Sequence, residues 1–287
     1  MNISECHKKQ IKRVCDYISS NLDNDMSLEM LSRVAACSKF HFHRIFKSYM
    51  GLSVIQFAQL SRMKRASFRL VFEPEQSITD IAYEAHFDSP EAFSRAFSRI
   101  FEQSPSQFRR RPEWPFWHSK YDFSPPINGD KIMDVNVIDF DERPVALIEH
   151  KGNPQKVYET ASKFIAWRKS TGLSPIKSSE TFGVPYSDPN DTVEEDFRFE
   201  ICGSHNGAVP ENEFGVKAGI IPSGRCALAI HHGSHDSISD TVYYLYQQWL
   251  PKSGQNLRDF PCFFQYMNFV HEVNENELVT KIYLPLA

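Results

Sequence analysis

The chain has 287 residues, 41% of them hydrophobic and 24% charged, with a formal net charge of −4. That length suits two cores better than one, and the composition is that of a globular protein rather than a disordered or fibrous one. No apolar run approaches the ~20 residues of a membrane-spanning helix, so no membrane partner is expected.

The charge is unevenly placed. Residues 1–115 carry 17 Lys and Arg against 13 Asp and Glu, and the remainder carries 15 against 23. A basic front and an acidic back point to a nucleic-acid reader joined to a different kind of module. The six cysteines (Cys6, Cys15, Cys37, Cys202, Cys226, Cys262) form no C-x-x-C pair, which argues against zinc or redox chemistry and for reduced thiols in packed positions. The polar start, Met1 to Lys12, has no apolar core of a secretory signal, and a cytoplasmic protein is expected.

Along the chain, residues 6–113 read as a succession of short helices, forming an all-α domain over 1–114. Two helix-turn-helix patterns stand out, at about 27–50 and 77–101. In the first, Ser27 caps a helix with Leu28, Leu31, Val34 and Ala35 inward. Ser38 then caps a second helix ending near Tyr49 and Gly51. In the second, Ser77 caps a helix with Ile78, Ile81 and Ala85 inward, and Ser89 caps a helix that opens with Pro90 and runs to about Phe101. The two second helices align at an offset of 51: Phe42, Ile45, Phe46 and Tyr49 match Phe93, Ala96, Phe97 and Ile100 as buried stripes.

The opposite stripes are Phe40, His43, Arg44 and Lys47 on the first helix and Glu91, Ser94, Arg95 and Ser98 on the second. A helix entering the major groove needs this division, one apolar face for its own domain and one face of long donors for bases and phosphates. The first face, with Ser38, Lys39 and His41 at its start, is expected to read bases on double-stranded DNA. The second, with Ser89 and Arg99 nearby, is expected mainly to hold position on the backbone. Between the motifs, Ile55 to Val71 reads as a connecting helix whose Arg62, Lys64, Arg65 and Arg69 form a solvated face.

These residues resemble the AraC/XylS family of regulators. The resemblance rests on Ile78-Thr-Asp-Ile-Ala, Phe87-x-Ser89, Phe93-x-Arg95-x-Phe97 and Ser104-Pro-Ser-Gln-Phe-Arg109, with Ser38 to Lys47 similar to the family's first recognition helix. It implies a double helix-turn-helix DNA-binding unit. Where the family usually has glycine in the two turns, this chain has Ala36 and His86, and an altered first turn is expected because alanine resists positive φ.

Prolines and an Asn-Gly pair (Ser124-Pro-Pro-Ile-Asn-Gly129) then predict an extended linker over 115–133. Beyond it, over 134–287, Val145-Ala-Leu-Ile-Glu-His-Lys-Gly152 recurs as Cys226-Ala-Leu-Ala-Ile-His-His-Gly233, an offset of 81. Each copy is followed by an amphipathic helix and two strands. The predicted architecture is an α+β domain of two pseudo-twofold-related β-α-β-β units on one antiparallel sheet. His231-His232-x-x-His235 lacks a Cys or carboxylate to complete a metal site, so neither metal nor other cofactor is expected. With no phosphate loop or nucleophile elbow, no catalytic residue is assigned.

This half resembles the GyrI-like (gyrase-inhibitor-like) effector-binding domain, on Gly224 to Gly233, Trp249-Leu-Pro-Lys-Ser-Gly254, Phe263-Phe-Gln-Tyr266 and Thr280 to Leu286. The resemblance implies an aromatic-lined groove between the repeats that takes an amphipathic or aromatic small molecule. Candidate lining residues are Trp167, Tyr186, Phe199, Glu200, Tyr243, Tyr246, Gln265 and Tyr266. The family's pocket acid, in a Phe-Glu-x-Tyr context, is matched here to Gln265, which leaves Glu200 as the acidic candidate. The whole is expected to be a ligand-responsive, non-enzymatic DNA-binding regulator, with RNA polymerase as a possible partner. The alternatives are that the back domain is a small-molecule hydrolase using Glu200 as base, or a module that sequesters a protein.

Overall fold

The computed structural model describes residues 3–24, 26–121, 133–189 and 192–287. Two compact units result, one of residues 1–132 with 270–277, the other of 133–269 with 278–287.

The first unit opens with α1 (Ile3–Ser20), followed by α2 (Leu28–Val34), α3 (Lys39–Met50), α4 (Val54–Phe72), α5 (Ile78–Glu84), α6 (Pro90–Phe101), α7 (Pro105–Arg110) and α8 (Trp114–His118). Serine starts most of them. Ser27, Ser77, Ser89 and Ser104 each accept a hydrogen bond from a backbone N–H in the first turn, relieving donors a helix end leaves unpaired. Ser38 departs from expectation: it holds the N-cap position of α3 in extended geometry but makes no side-chain cap bond. The apolar stripes fall as their period requires, with Phe42, Phe46, Phe93 and Phe97 all fully buried.

The connector expected from 115 onward begins as structure. Trp114–His118 is a short helix, continued by a 3-10 turn over Ser119–Tyr121. Trp114 and Trp117 are fully buried against Phe68, and Trp114 also packs on Phe72 and Phe108. Two tryptophans carry enough apolar area to override the proline signal, and Pro115 is harmless in a first helical turn, where its missing N–H has no partner to lose. The remainder of the expected linker, 122–132, lies outside the described residues.

The arginines of α4 correct the reading of a solvated face. Arg62 donates to the carbonyls of Leu22 and Asn24, and Arg65 to the Asp23 carboxylate and the Glu84 carbonyl. Arg69 pairs with Glu84. Arg109, from α7, donates to the carbonyls of Leu70, Pro74 and Gln76. Helix α4 is therefore the strut to which both helix-turn-helix motifs are tied.

The second unit is one eight-stranded sheet: β1 (Val135–Phe140), β2 (Arg143–Lys151), β3 (Thr181–Pro185), β4 (Arg198–Ser204), β5 (Lys217–Ile221), β6 (Gly224–His232), β7 (Phe263–Tyr266) and β8 (Val279–Pro285). Its order is β1-β6-β8-β7-β3-β4-β2-β5, antiparallel throughout. The order reads the same after exchanging the repeats, which is the pseudo-twofold in sheet form. Each predicted β-α-β-β unit is present with one further strand in front of it, and that strand joins the other repeat: β1 adds to β6, and β5 to β2.

Helix α9 (Val157–Thr171) follows β2. After β6 come α10 (Ile238–Tyr244), a π-turn over Leu245–Trp249 and α11 (Leu250–Ser253). Ala146, Ile148 and Ile201 pack under α9 with Phe164 and Trp167, and Ala227, Ala229, Phe264 and Ile282 pack with Ile238 and Leu245. On the opposite face Phe140, from the edge strand β1, reaches the rings of Phe182, Phe263 and Tyr283, so the sheet curls around a second apolar core.

Candidate functional site

In the first unit the two turns keep the shape glycine would give them. Ala36 has φ +51° and His86 φ +58°, both left-handed. The alanine therefore bears a steric cost instead of changing the turn. The second motif gains one residue between its turn and its cap, since Ser27 and Ser77 are 50 apart while Ser38 and Ser89 are 51 apart.

On α3, His41, His43, Arg44 and Lys47 are exposed, and none of their side chains has a hydrogen-bond partner among the described residues. Lys39 and Phe40 belong to the helix, but their side chains lie outside the described residues. On α6, Glu91, Arg95 and Arg99 are exposed while Ser94 and Ser98 are half-buried. Glu91 is held below the ordinary carboxylate range, first by its own backbone N–H and then by the Ser89 hydroxyl. Ser89 caps α6, and Glu91 adds an exposed carboxylate to the first turn, where its charge opposes a phosphate. The two helices share a scaffold and differ in chemistry.

In the second unit the strand alternation separates the eight candidate lining residues. Phe199 and Tyr266 lie on the helix-covered face, and Phe199 belongs to both cores on that face. The two side chains close over Gly183: a Cβ there would lie 2.6 Å from Phe199 Cζ and 2.7 Å from the Tyr266 hydroxyl. Tyr243, on α10, and Tyr246, in the π-turn, come from the second repeat, with the Tyr243 hydroxyl on Asp188 at 2.7 Å and Tyr246 exposed. Trp167 is fully buried, stacked on Phe164, and is core rather than lining.

Tyr186, Glu200 and Gln265 point the other way. The Tyr186 hydroxyl donates to Glu200 Oε2 at 3.1 Å. Gln265 donates to Glu180 at 2.8 Å and accepts from the Tyr283 hydroxyl at 2.8 Å. Gln265 therefore lies on the face away from Phe199 and Tyr266, with its amide engaged at both ends. In a Phe-Glu-x-Tyr frame ending at Tyr266 the acid stands two residues earlier, on the same strand face, and that residue is Phe264. Sequence reading missed Gly183; its signal was a glycine inside an otherwise apolar strand, which marks a close approach.

Two histidines fix the strand-to-helix turns. His150 Nδ1 lies 2.8 Å from Thr160 Oγ1 and Nε2 lies 3.0 Å from the Asn153 carbonyl. His231 repeats this with Thr241 at 2.8 Å and the Ser234 carbonyl at 3.1 Å. A carbonyl only accepts, so Nε2 carries a proton in each histidine. His231 is thus a turn clamp, occupied at both nitrogens.

Residues 133–287 match the family described as a GyrI-like small molecule binding domain, more than half of the chain. The chain belongs to the GyrI-like family. Ahead of the GyrI-like domain, residues 31–111 match an AraC-type helix-turn-helix domain. The GyrI-like part is 46% identical over 155 residues to a protein of Escherichia coli K12 named probable transcriptional regulator YgiV, covering 54% of this chain and 97% of that one. The right origin-binding protein of the same organism is 33% identical over 119 residues, 41% of this chain and 39% of that one. The crystal structure of the EcmrR C-terminal domain is similar with a TM-score of 0.47 at 19% identity, covering 55% of this chain and 99% of that one. The chain is a DNA-binding transcriptional regulator carrying a GyrI-like small-molecule binding domain. Among the described residues no helix is long and apolar enough to cross a membrane.

Proposed function

We propose that this regulator reads one DNA site with two unequal helices and that an amphipathic or aromatic small molecule sets its output. The observation that carries the first half is the face of α3, where the side chains of His41, His43, Arg44 and Lys47 are exposed without hydrogen-bond partners among the described residues. Two major-groove entries lie about 34 Å apart, so one chain suits a non-palindromic site of about 20 base pairs. Arg44 is the base reader, with Ser38, Lys39 and Phe40 at the leading end of the same helix. Arg95 and Arg99 hold the phosphate backbone beside Ser89 and Ser94, and the first-turn carboxylate of Glu91 keeps the α6 N-terminus from adding a phosphate contact.

The effector enters on the helix-covered face of the GyrI-like domain, over Phe199 and Tyr266, with Tyr243 and Tyr246 beside it. Both floor side chains are half-buried and rest on a glycine, so each keeps a ring edge open to a ligand. The bound molecule shifts DNA affinity or the contact with RNA polymerase in the cytoplasm, and the chain acts as a regulator rather than an enzyme. Glu200, the base that a hydrolase would use, lies on the other sheet face and bonds Tyr186.

Selection of binding sites from random DNA tests the reading. Arg44→Ala should cost about 1–3 kcal/mol and relax preference at one position. Arg95→Ala should weaken all sites alike and reduce the salt slope by about 1. An Arg44→Ala variant with the wild-type preference would overturn the assignment.

A further inference from the structure

The π-turn between α10 and α11 makes the two repeats comparable residue by residue. Strands correspond at an offset of 81, as Phe182 and Phe263 do. Past the π-turn the helices correspond at 82, because it inserts one residue. The left-handed C-caps Gly172 (φ +70°) and Gly254 (φ +68°) then coincide. On this superposition Arg168 matches Leu250, Thr181 matches Cys262, and Gly203 matches Leu284. In the second repeat that trio is part of the apolar core under the helix.

In the first repeat a guanidinium occupies the same space. Arg168 is 4% exposed. Its Nη1 donates to Thr181 Oγ1 at 2.9 Å and its Nη2 to Ser174 Oγ at 3.2 Å, and the group lies over the Phe164 ring at 4.6 Å. The buried Nε has no acceptor. Arg168 makes no ion pair among the described residues. The surroundings are cut to hold it. A Cβ on Gly203 would lie 1.9 Å from Nη2, and Ser174 adopts φ +50° while presenting its hydroxyl.

A fold that takes leucine at this place does not require a charge there, and burying an uncompensated cation is strongly unfavourable. Burial, only partly offset by Cys202, lowers the Arg168 pKa to about 10. Thr181 pairs with Tyr266 in the β3–β7 ladder, so the guanidinium stands one strand away from the aromatic floor. At the family's acid position this chain has Phe264, which is apolar and on the same face. On this face the first repeat thus buries a guanidinium with one unused donor, and Phe264 adds no carboxylate to it.

We propose that Arg168 receives the carboxylate of an aromatic or amphipathic anion, so that the effector of this regulator is acidic. The planar fork matches a carboxylate through two parallel hydrogen bonds, and the free Nε supplies a donor the protein leaves unused. The inference rests on the effector entering over Phe199 and Tyr266.

The test titrates the full chain with three probes of one shape: 2-naphthoate, 2-naphthamide and 2-naphthyltrimethylammonium, by calorimetry. Wild type should bind the naphthoate most tightly. Arg168→Leu, which copies the second repeat, should lose about 10- to 100-fold in naphthoate affinity and leave naphthamide unchanged. Arg168→Lys keeps the charge without the fork and should fall between, which serves if the leucine variant does not fold. Preference for the amide or the ammonium, or naphthoate binding indifferent to both substitutions, overturns the anionic assignment and leaves the groove standing. Binding of none of the three overturns the groove as well.

Discussion

Ala36 shows how much of a turn is set by its neighbours. The left-handed conformation costs an L-residue roughly 1–2 kcal/mol, yet Ala36 adopts it at φ +51°. The packing of α2 against α3 fixes the turn, and the alanine bears the strain. Ala36→Gly should therefore stabilise the protein by about 1 kcal/mol, less the extra chain entropy glycine loses. Urea unfolding checks this, and an unchanged or lower midpoint would show the turn to be unstrained. Sequence reading foresaw the conflict and expected the geometry to yield. Only the packed structure could say that the residue does.

Among the elements, α4 is the one most misread from sequence. Basic residues at Arg62, Arg65 and Arg69 have the spacing of a solvated stripe, and nothing local distinguishes that from a clasp. Their partners, Leu22, Asp23 and Glu84, lie outside the helix. Arg65 reaches both Asp23 oxygens, at 2.6 and 3.2 Å, and that hydrogen bonding holds the carboxyl below its usual range. The contribution is complete above the unfolded value of about 3.9 and drains away as pH falls through the lower native one. Asp23→Asn should be less stable than wild type at pH 7, with the difference closing in strong acid. Denaturant titrations at the two pH values measure it, and a gap that ignores pH would remove the ion pair from the account. The strand β5 escaped notice for a different reason. Lys217–Ile221 is a mostly exposed edge strand without the alternation that marks a half-buried one.

For the whole molecule, the exchanged strands β1 and β5 are the main departure from expectation. Each lends its hydrogen bonds to the other repeat, so neither half-sheet is complete alone. Recognition of DNA by one part and of a ligand by another requires a coupling free energy, and coupling is reciprocal. With an aromatic carboxylate found by the titration above, the factor by which it changes DNA affinity should equal the factor by which operator DNA changes its own affinity. Binding measured both ways tests this, and a ligand that leaves DNA affinity untouched would separate the two halves functionally.

Period and repetition are local properties, so the sequence alone determined the double helix-turn-helix, the buried stripes of α3 and α6, the histidine-bearing repeat and the pseudo-twofold. Partners across long separations are not local. Tertiary structure decided that the α4 arginines are clasps, that Trp114 and Trp117 are buried against Phe68, and that Tyr186, Glu200 and Gln265 face away from Phe199 and Tyr266. It also decided that Arg168 is a buried cation. A strand's alternation sends neighbouring side chains to opposite faces, and which face meets a helix is settled only when the sheet is assembled and covered.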